Sequence, residues 1–191
     1  MKKIDDIIRS ATKGIKDKYF FLKVYGGTPV YRERVYCYEL YHQMRCYDSI
    51  DVNLYLMGEI DKGGHPKIAE CAKGLKPDFL IHEPGSGNNY AVIEVKSVEG
   101  LKRRLNNPNA PPQYAYEKDI KSLRCFVDKI GYQRGIYLIY GNNNENWITK
   151  VKDALAFHGS EKIELWLHKG VDQEASRIYP PQNSTQSNGE V

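Results

Sequence analysis

Long apolar runs are missing from this sequence, which argues against membrane-spanning helices. The longest runs, such as Ile136–Tyr140, fall far short of the roughly 18 residues that a bilayer span needs. The residues that follow Met1 also lack the uninterrupted apolar stretch of a secretory signal peptide. We therefore expect a soluble, cytoplasmic protein with no membrane partner.

Cysteine is scarce, and its spacing matches no common metal or redox motif. The four cysteines, Cys37, Cys46, Cys71 and Cys125, form no CxxC pair and no Cys/His grouping at zinc-ligand spacing. Cytosolic cysteines are normally reduced. We expect all four to be free thiols.

A strong net charge is also lacking. The chain has 28 Lys and Arg residues against 24 Asp and Glu residues, a mild basic excess that suits a polyanion but is common in ordinary proteins. The 15 tyrosines offer surfaces on which bases can stack, but they equally fill a modest core, and we favour the second role. Composition alone selects no function.

The length of 191 residues suits one compact domain with its own core. We place this domain at residues 1–171. Residues 172–191 contain Pro180-Pro181 and a run of Gln, Asn, Ser and Gly, too polar to bury, so we expect a disordered tail there.

Apolar periodicity predicts four helices. The first carries a stripe of Ile and Ala from Ile4 to Ile15, and the second starts with Thr28 as its cap and Pro29 at its first position. Two more helices are predicted at 116–130 and 147–155, each with apolar residues at helical spacing.

Five strands are predicted between and after these helices, at 52–60, 78–82, 90–98, 136–140 and 163–167. A short, turn-rich connection joins the second strand to the third, so these two should pair antiparallel. The order α-α-β-β-β-α-β-α-β predicts an α/β fold, a mixed central sheet flanked by helices.

Two acidic residues and one lysine lie at the ends of adjacent predicted strands. Asp78 opens the second strand, and Glu94 and Lys96 end the third. Because side chains alternate along a strand, Glu94 and Lys96 point to the same face. Two carboxylates, with phosphate and water oxygens, are enough to hold Mg²⁺, and the Val95 carbonyl at the same rim is a further candidate ligand. The pattern therefore suits metal-assisted phosphodiester hydrolysis.

A structural reading of the same residues stays open. Glu94 and Lys96 form an ion pair at the edge of the sheet in that reading, and Pro77-Asp78 forms a turn. The buried-strand run Ala91-Val92-Ile93 passes straight into the two charges, and burying charge is costly unless it is paired or bound to metal. The surrounding order of elements favours the metal site.

Pro77-Asp78, followed sixteen residues later by Glu94-Val95-Lys96, resembles the motif of the PD-(D/E)xK nuclease superfamily, which has the restriction-endonuclease-like fold. The resemblance covers roughly residues 28–168. It implies an α-β-β-β-α-β core, here with an added N-terminal helix and a C-terminal α-β extension. It also implies that Asp78 and Glu94 bind Mg²⁺, with Mn²⁺ as a substitute, and that Lys96 positions the attacking water.

Many members of this superfamily also carry an acid on the helix before the first strand. Glu39 is our candidate for it, although an ordinary surface glutamate paired with Arg45 or Arg32 is an equal alternative. His42 and Gln43, one turn later, are weaker candidates for contacting the phosphate or holding Glu39.

Basic residues near the motif are candidates for contacting nucleic acid. Lys102, Arg103 and Arg104 follow the third strand in an expected loop, and Gln113 and Lys118 lie near the start of the next helix. A solvated loop and helix surface is the alternative.

The expected function is a Mg²⁺-dependent nuclease that acts on nucleic acid, with DNA as the preferred polymer, and a homodimer is one arrangement that would let both strands be cut. Two alternatives are kept. The first is a nuclease-like module that binds nucleic acid or protein without turnover, and the second is an α/β protein in which Glu94 and Lys96 are only an ion pair.

Overall fold

The structure, a computed structural model, is described here for residues 2–47, 54–59, 71, 74–105, 114–141, 145–158 and 160–180. Its helices are α1 (Lys2–Gly14), α2 (Asp17–Phe20), α3 (Glu33–Arg45), α4 (Val98–Leu105), α5 (Tyr114–Cys125) and α6 (Glu145–His158), and a π-helical turn, Phe126–Ile130, extends α5. Its strands are β1 (Tyr55–Gly58), β2 (Phe79–His82), β3 (Asn89–Ser97), β4 (Arg134–Tyr140), β5 (Ile163–His168) and β6 (Ser176–Tyr179).

The six strands form one mixed sheet in which spatial order follows chain order, β1-β2-β3-β4-β5-β6. β1, β2 and β3 are antiparallel neighbours, which confirms the predicted β2–β3 pair. β3, β4 and β5 are parallel, with α5 and α6 in the crossovers, and β6 returns antiparallel. The α/β class with a mixed, helix-flanked sheet is therefore confirmed.

Each face of the sheet is covered by helices. One core joins the stripe of α1, from Ile4 to Ile15, and the buried side of α3 to odd-numbered residues of β3 such as Val95. The other joins α4, α5 and α6 to even-numbered residues such as Val92. The α1 stripe is buried as the periodicity predicted. β3 is thus enclosed on both sides before it reaches Glu94.

Three element boundaries differ from the sequence prediction. α3 begins at Glu33 rather than at Pro29, because Val30 pairs with Leu22 in a β-bridge. The residues after β3 form α4 instead of a loop, and α4 buries Val98 and Leu101. The tail does not start at Asp172, since β6 adds an edge strand to β5. Residues 181–191 lie outside the described part.

The expectation of four free thiols is wrong for two of them. Cys71 and Cys125 form a disulfide that spans 54 positions of sequence, while Cys37 is a buried thiol and Cys46 an exposed one. Spacing patterns detect cysteines that are close in sequence, and this pair is joined only by the fold.

No helix in the described ranges combines the length and apolar character that crossing a bilayer requires.

A buried ion network ties α1 to the sheet. Arg134, 4% exposed at the start of β4, donates to both carboxylate oxygens of Glu164 on β5 at 3.0 and 2.7 Å, and to Asp5 of α1 at 2.6 Å. Arg177 on β6 and the Trp166 indole also donate to Glu164, at 3.2 and 2.8 Å. The Glu164 carboxylate on β5 thereby links β4 to β6, and Arg134 connects it to α1.

We expect Arg134→Met to destabilise the protein toward the low end of the about 3–5 kcal/mol typical of a broken buried ion pair, because Arg177 and Trp166 still satisfy Glu164. The control is Lys13→Met, which removes an exposed pair with Glu174 and should change the unfolding free energy by less than about 1 kcal/mol. Urea unfolding followed by circular dichroism measures both. Equal effects of the two substitutions would contradict the role given to Arg134.

Candidate active site

The strand register brings the sequence motif together. Phe79 of β2 pairs with Ile93 of β3, so Asp78, one residue before β2, lies beside Glu94 and Val95. The Val95 N–H donates to Asp78 Oδ2 at 2.7 Å, which fixes this carboxylate against the end of β3. Asp78 and Glu94 thus come together because β2 and β3 pair antiparallel, as the sequence predicted.

The Lys96 ammonium lies among acidic oxygens from three elements. Its Nζ is 2.7 Å from Glu94 Oε1 on the same strand, 3.3 Å from Glu33 Oε1 in the first turn of α3, and 3.9 Å from Asp119 Oδ2 on α5. It also donates to the Val95 carbonyl at 3.0 Å. With Asp78, these residues form the carboxylate cluster: Glu33, Asp78, Glu94 and Asp119 around Lys96.

Burial makes the charges of this cluster interact strongly. The side chains of Lys96, Asp119 and Glu94 are 7, 11 and 14% exposed, so water screens them little. Burial alone would lower the pKa of Lys96, but Glu94, Asp119, Glu33 and Asp78 together raise it. Lys96 is therefore a permanent cation near neutral pH.

For the two motif carboxylates, burial is the main cause of the pKa shift, and Lys96 opposes it. Loss of water raises the pKa of Glu94 to about 8, with Asp78 and Asp119 adding to the rise and Lys96 opposing it. Burial likewise raises the pKa of Asp78 to about 6, against the effects of Lys96 and the Val95 N–H. The four carboxylates carry more negative charge than the Lys96 ammonium neutralises. The cluster therefore attracts protons or another cation.

Asp119 is a member that the sequence analysis missed. It is buried, and its Oδ2 accepts from the Tyr137 hydroxyl at 3.3 Å. Tyr137 is buried on β4 directly opposite Glu94. A signal for Asp119 was present, because it lies between Tyr116 and Leu123 at helical spacing on the buried stripe of α5, where an acid is unexpected.

The glutamate of α3 that contacts Lys96 is Glu33, and not the predicted Glu39. Glu39 lies six residues later on α3, partly exposed, and accepts from Gln43 Nε2 at 2.7 Å. Gln43 packs against Gly14 of α1, where an added Cβ would collide with its side chain. The Glu39–Gln43 pair therefore lies at the α1–α3 contact. Glu39 was predicted because it lies beside the buried stripe of the helix, but α3 presents its first turn, which contains Glu33, to Lys96.

The two other predicted site residues on α3, His42 and Gln43, also contact neighbours near them in the chain. Gln43 does hold Glu39, one of the two roles considered for it. His42 is exposed, and its Nε2 is 3.7 Å from Cys46 Sγ. These contacts place neither residue in the carboxylate cluster.

The predicted basic contacts are only partly covered by the description. Lys102 is half-buried on α4, and Lys118 is exposed on α5, next in sequence to Asp119. Arg103 and Arg104 belong to α4, but their side chains, and Gln113 altogether, lie outside the described residues. The structure thus turns the expected basic loop into a helix that leaves β3 directly after the cluster.

The oxygen donors at this strand end fit a small, hard divalent cation. In the described part of the chain, no group of three or more His, Cys, Asp and Glu side chains is placed to hold a metal ion. Mg²⁺ uses one or two carboxylates and completes its octahedron with water and phosphate oxygens. Asp78, Glu94 and the Val95 carbonyl are such donors, and the carbonyl oxygen has a second lone pair beside the one that Lys96 uses.

Comparison of this chain with protein-family models, curated proteins and solved structures finds no match. We therefore infer the function from the geometry of the carboxylate cluster and from the motif.

The pKa shifts predict an unusual pH dependence of stability in metal-free protein. Between about pH 4.5, the ordinary pKa of Glu, and about 8, the folded protein holds a proton on Glu94 that the unfolded chain releases. The unfolding free energy should therefore fall as pH rises through this window, by at most about 1.4 kcal/mol per pH unit for one proton, and level off above it. Asp78 adds to the fall below about pH 6.

Thermal unfolding from pH 5 to 9 in EDTA measures this dependence. Glu94→Gln should flatten the slope between pH 6 and 8, whereas Glu161→Gln, the same change at an exposed turn, should leave it unchanged. A stability that rises with pH across this window in the unmodified protein would contradict the raised pKa of Glu94.

Proposed function

We propose that this protein is a metal-dependent nuclease that hydrolyses phosphodiester bonds in nucleic acid, with DNA as its expected substrate. The observation that carries the proposal is the carboxylate cluster: two motif carboxylates and a backbone carbonyl at one strand end, with a buried, permanently charged ammonium among them. A cluster of this charge favours a divalent cation and, through that cation, an anionic substrate.

The order of elements supports the family proposed for the chain. α3, β1, β2, β3, α5 and β4 follow one another in the α-β-β-β-α-β order of the restriction-endonuclease-like core, with α4 inserted after β3. α1 precedes this core, and α6 and β5 follow it. The position of Asp78 just before β2, and of Glu94-Val95-Lys96 near the end of β3, also supports this proposal.

The chemistry of hydrolysis assigns separate roles to these residues. A water oxygen forms a bond to phosphorus and loses its proton to solvent while the ester P–O bond opposite it breaks, and the departing alkoxide takes a proton from solvent. Mg²⁺, when bound, would supply charge neutralisation at the phosphate and a water of lowered pKa. Asp78, Glu94 and the Val95 carbonyl would hold the ion, Glu33 and Asp119 shape the field around it, and Tyr137 orients Asp119.

Lys96 acts as a cation and not as a base. An ammonium that four carboxylates keep protonated cannot accept a proton near neutral pH, but it can orient a hydroxide and stabilise negative charge that develops on phosphate. This agrees with its place beside Glu94.

The first experiment is cleavage of plasmid, single-stranded DNA and RNA in Mg²⁺ or Mn²⁺, with EDTA as the negative condition. We expect Lys96→Met to lower the rate about 10²- to 10³-fold, the usual effect of removing one preorganised charge-stabilising donor. Met keeps most of the buried stem of Lys96, and Lys129→Met, an exposed site on the π-helical turn, is the matched control. Equal rates for the two variants would exclude this mechanism.

The second experiment compares two glutamates of one helix. Glu33→Gln should lower Mg²⁺-dependent cleavage about three- to tenfold, because the Glu33 side chain is 35% exposed and water partly screens its 3.3 Å contact with Lys96. Glu39→Gln should change the rate less than twofold, because its carboxylate is held by Gln43. Similar losses in both variants would contradict the assignment of Glu33 as the helix acid.

A module that binds without turnover is the alternative function. It predicts nucleic-acid binding with no cleavage in Mg²⁺ or Mn²⁺, and no Mn²⁺ binding that depends on Asp78 and Glu94. Calorimetric titration with Mn²⁺ of the unmodified protein and of the Asp78→Asn/Glu94→Gln double variant separates the two functions.

A further inference from the structure

A cavity of about 340 Å³ lies against the motif carboxylate, between α3 and the end of β1. Its walls are Cys37, Tyr38 and Tyr41 of α3, Gly58 and Glu59 at the end of β1, and Asp78 and Phe79 at the start of β2. The volume lies at the small end of the about 300–1,000 Å³ typical of ligand pockets. Asp78 is therefore shared by the carboxylate cluster and by this cavity.

Aromatic rings provide flat faces in the cavity wall. The Tyr41 and Phe79 rings stack at 6.2 Å between centroids and 17° between planes, and the Tyr41 hydroxyl is anchored on the Leu56 carbonyl at 3.3 Å. The Tyr38 ring is 63% exposed, although large apolar and aromatic side chains elsewhere in the described protein are mostly buried. Rings that are anchored or exposed in this way are suitable partners for stacking with a planar ligand.

The end of β1 is held in an uncommon conformation beside the same wall. Glu59 has a φ of +47°, in the left-handed region that a non-glycine residue seldom adopts, and its N–H donates to the Asp78 carbonyl at 3.1 Å. Its carboxylate pairs with Arg34 at 3.6 Å. This conformation places an acceptor at the cavity and connects the cavity wall to the residue that carries Asp78.

The charge of the cavity selects among the parts of a nucleotide. Asp78 and Glu59 border it, so a phosphate would be repelled, whereas the amino groups of a base can donate to a carboxylate. A base is planar, carries such donors and is joined through its sugar to the phosphate that the cluster would hold.

We propose that this cavity binds the nucleobase of the nucleotide next to the scissile phosphate, and that the preferred substrate therefore has an unpaired base at the point of cleavage. This inference rests on the proposed nuclease function. A base stacked within a duplex cannot enter a protein cavity without leaving its neighbours, which favours single-stranded or locally opened DNA.

The binding arm uses a single-stranded oligodeoxynucleotide in which each adenine is replaced by 2-aminopurine, a base whose fluorescence is quenched by stacking. Ca²⁺ replaces Mg²⁺, so that binding is measured apart from cleavage. We expect quenching on binding, and an affinity about tenfold weaker for Tyr38→Ala, the size of one lost base–aromatic stack. Tyr38→Phe keeps the ring and should bind like the unmodified protein.

The matched control is Tyr25→Ala, which removes a fully exposed tyrosine in a turn that is not part of the cavity wall. Its affinity should stay within twofold of the unmodified protein. Equal affinity and quenching for Tyr38→Ala and Tyr25→Ala would overturn the assignment of the cavity.

The cleavage arm compares single-stranded DNA, a perfect duplex and the same duplex with a short mismatched bubble, in Mg²⁺. We expect the single strand and the bubble to be cut at least tenfold faster than the duplex, with Tyr38→Ala reducing this preference. Faster cleavage of the duplex, unaffected by Tyr38→Ala, would overturn the inference and leave the nuclease proposal intact. Tyr38-dependent binding without cleavage of any substrate would support the base site and contradict the nuclease proposal.

Discussion

The contact between the Lys96 ammonium and Glu94, 2.7 Å apart and nearly out of reach of water, is the interaction on which the site depends. Without acidic partners, an ammonium at this depth would tend to lose its proton. Glu94 makes its shortest contact, and Glu33, Asp78 and Asp119 add negative potential around it, which raises the pKa of Lys96. The cluster holds α3, β3 and α5 in register through charge, at a point where apolar packing ends.

The sheet supplies the rigidity that this arrangement needs. β3 pairs with β2 on one side and β4 on the other, and both of its faces are covered by apolar cores up to Val95. Side chains that leave such a strand have little freedom, so their charges stay where the backbone directs them. The same strand places Asp78 against the Val95 N–H and Tyr137 opposite Glu94. Preorganised charges of this kind favour catalysis more than flexible ones do.

The sequence reveals a site residue when its partners are close to it in the chain, and not when they are far away. Asp78, Glu94 and Lys96 were identifiable because strand alternation and one hairpin bring them together over a short stretch of chain. Glu33 was missed because its partner Lys96 lies 63 residues away on β3, and periodicity does not reveal which turn of α3 meets it. Asp119 was missed because its partners lie on β3 and β4. The cavity beside Asp78 joins three separate segments and has no sequence signature.

The sequence by itself determined the α/β class, the buried stripe of α1, the antiparallel β2–β3 pair and the strand positions of the motif. These depend on periodicities of two and 3.6 residues, which are properties of neighbouring residues. Only the tertiary structure decided which acids meet Lys96, that Cys71 pairs with Cys125, and that β6 extends the sheet past Asp172. Each of these contacts joins segments that are far apart in the chain. The burial and charge pairing that stabilise it exist only once those segments have packed together.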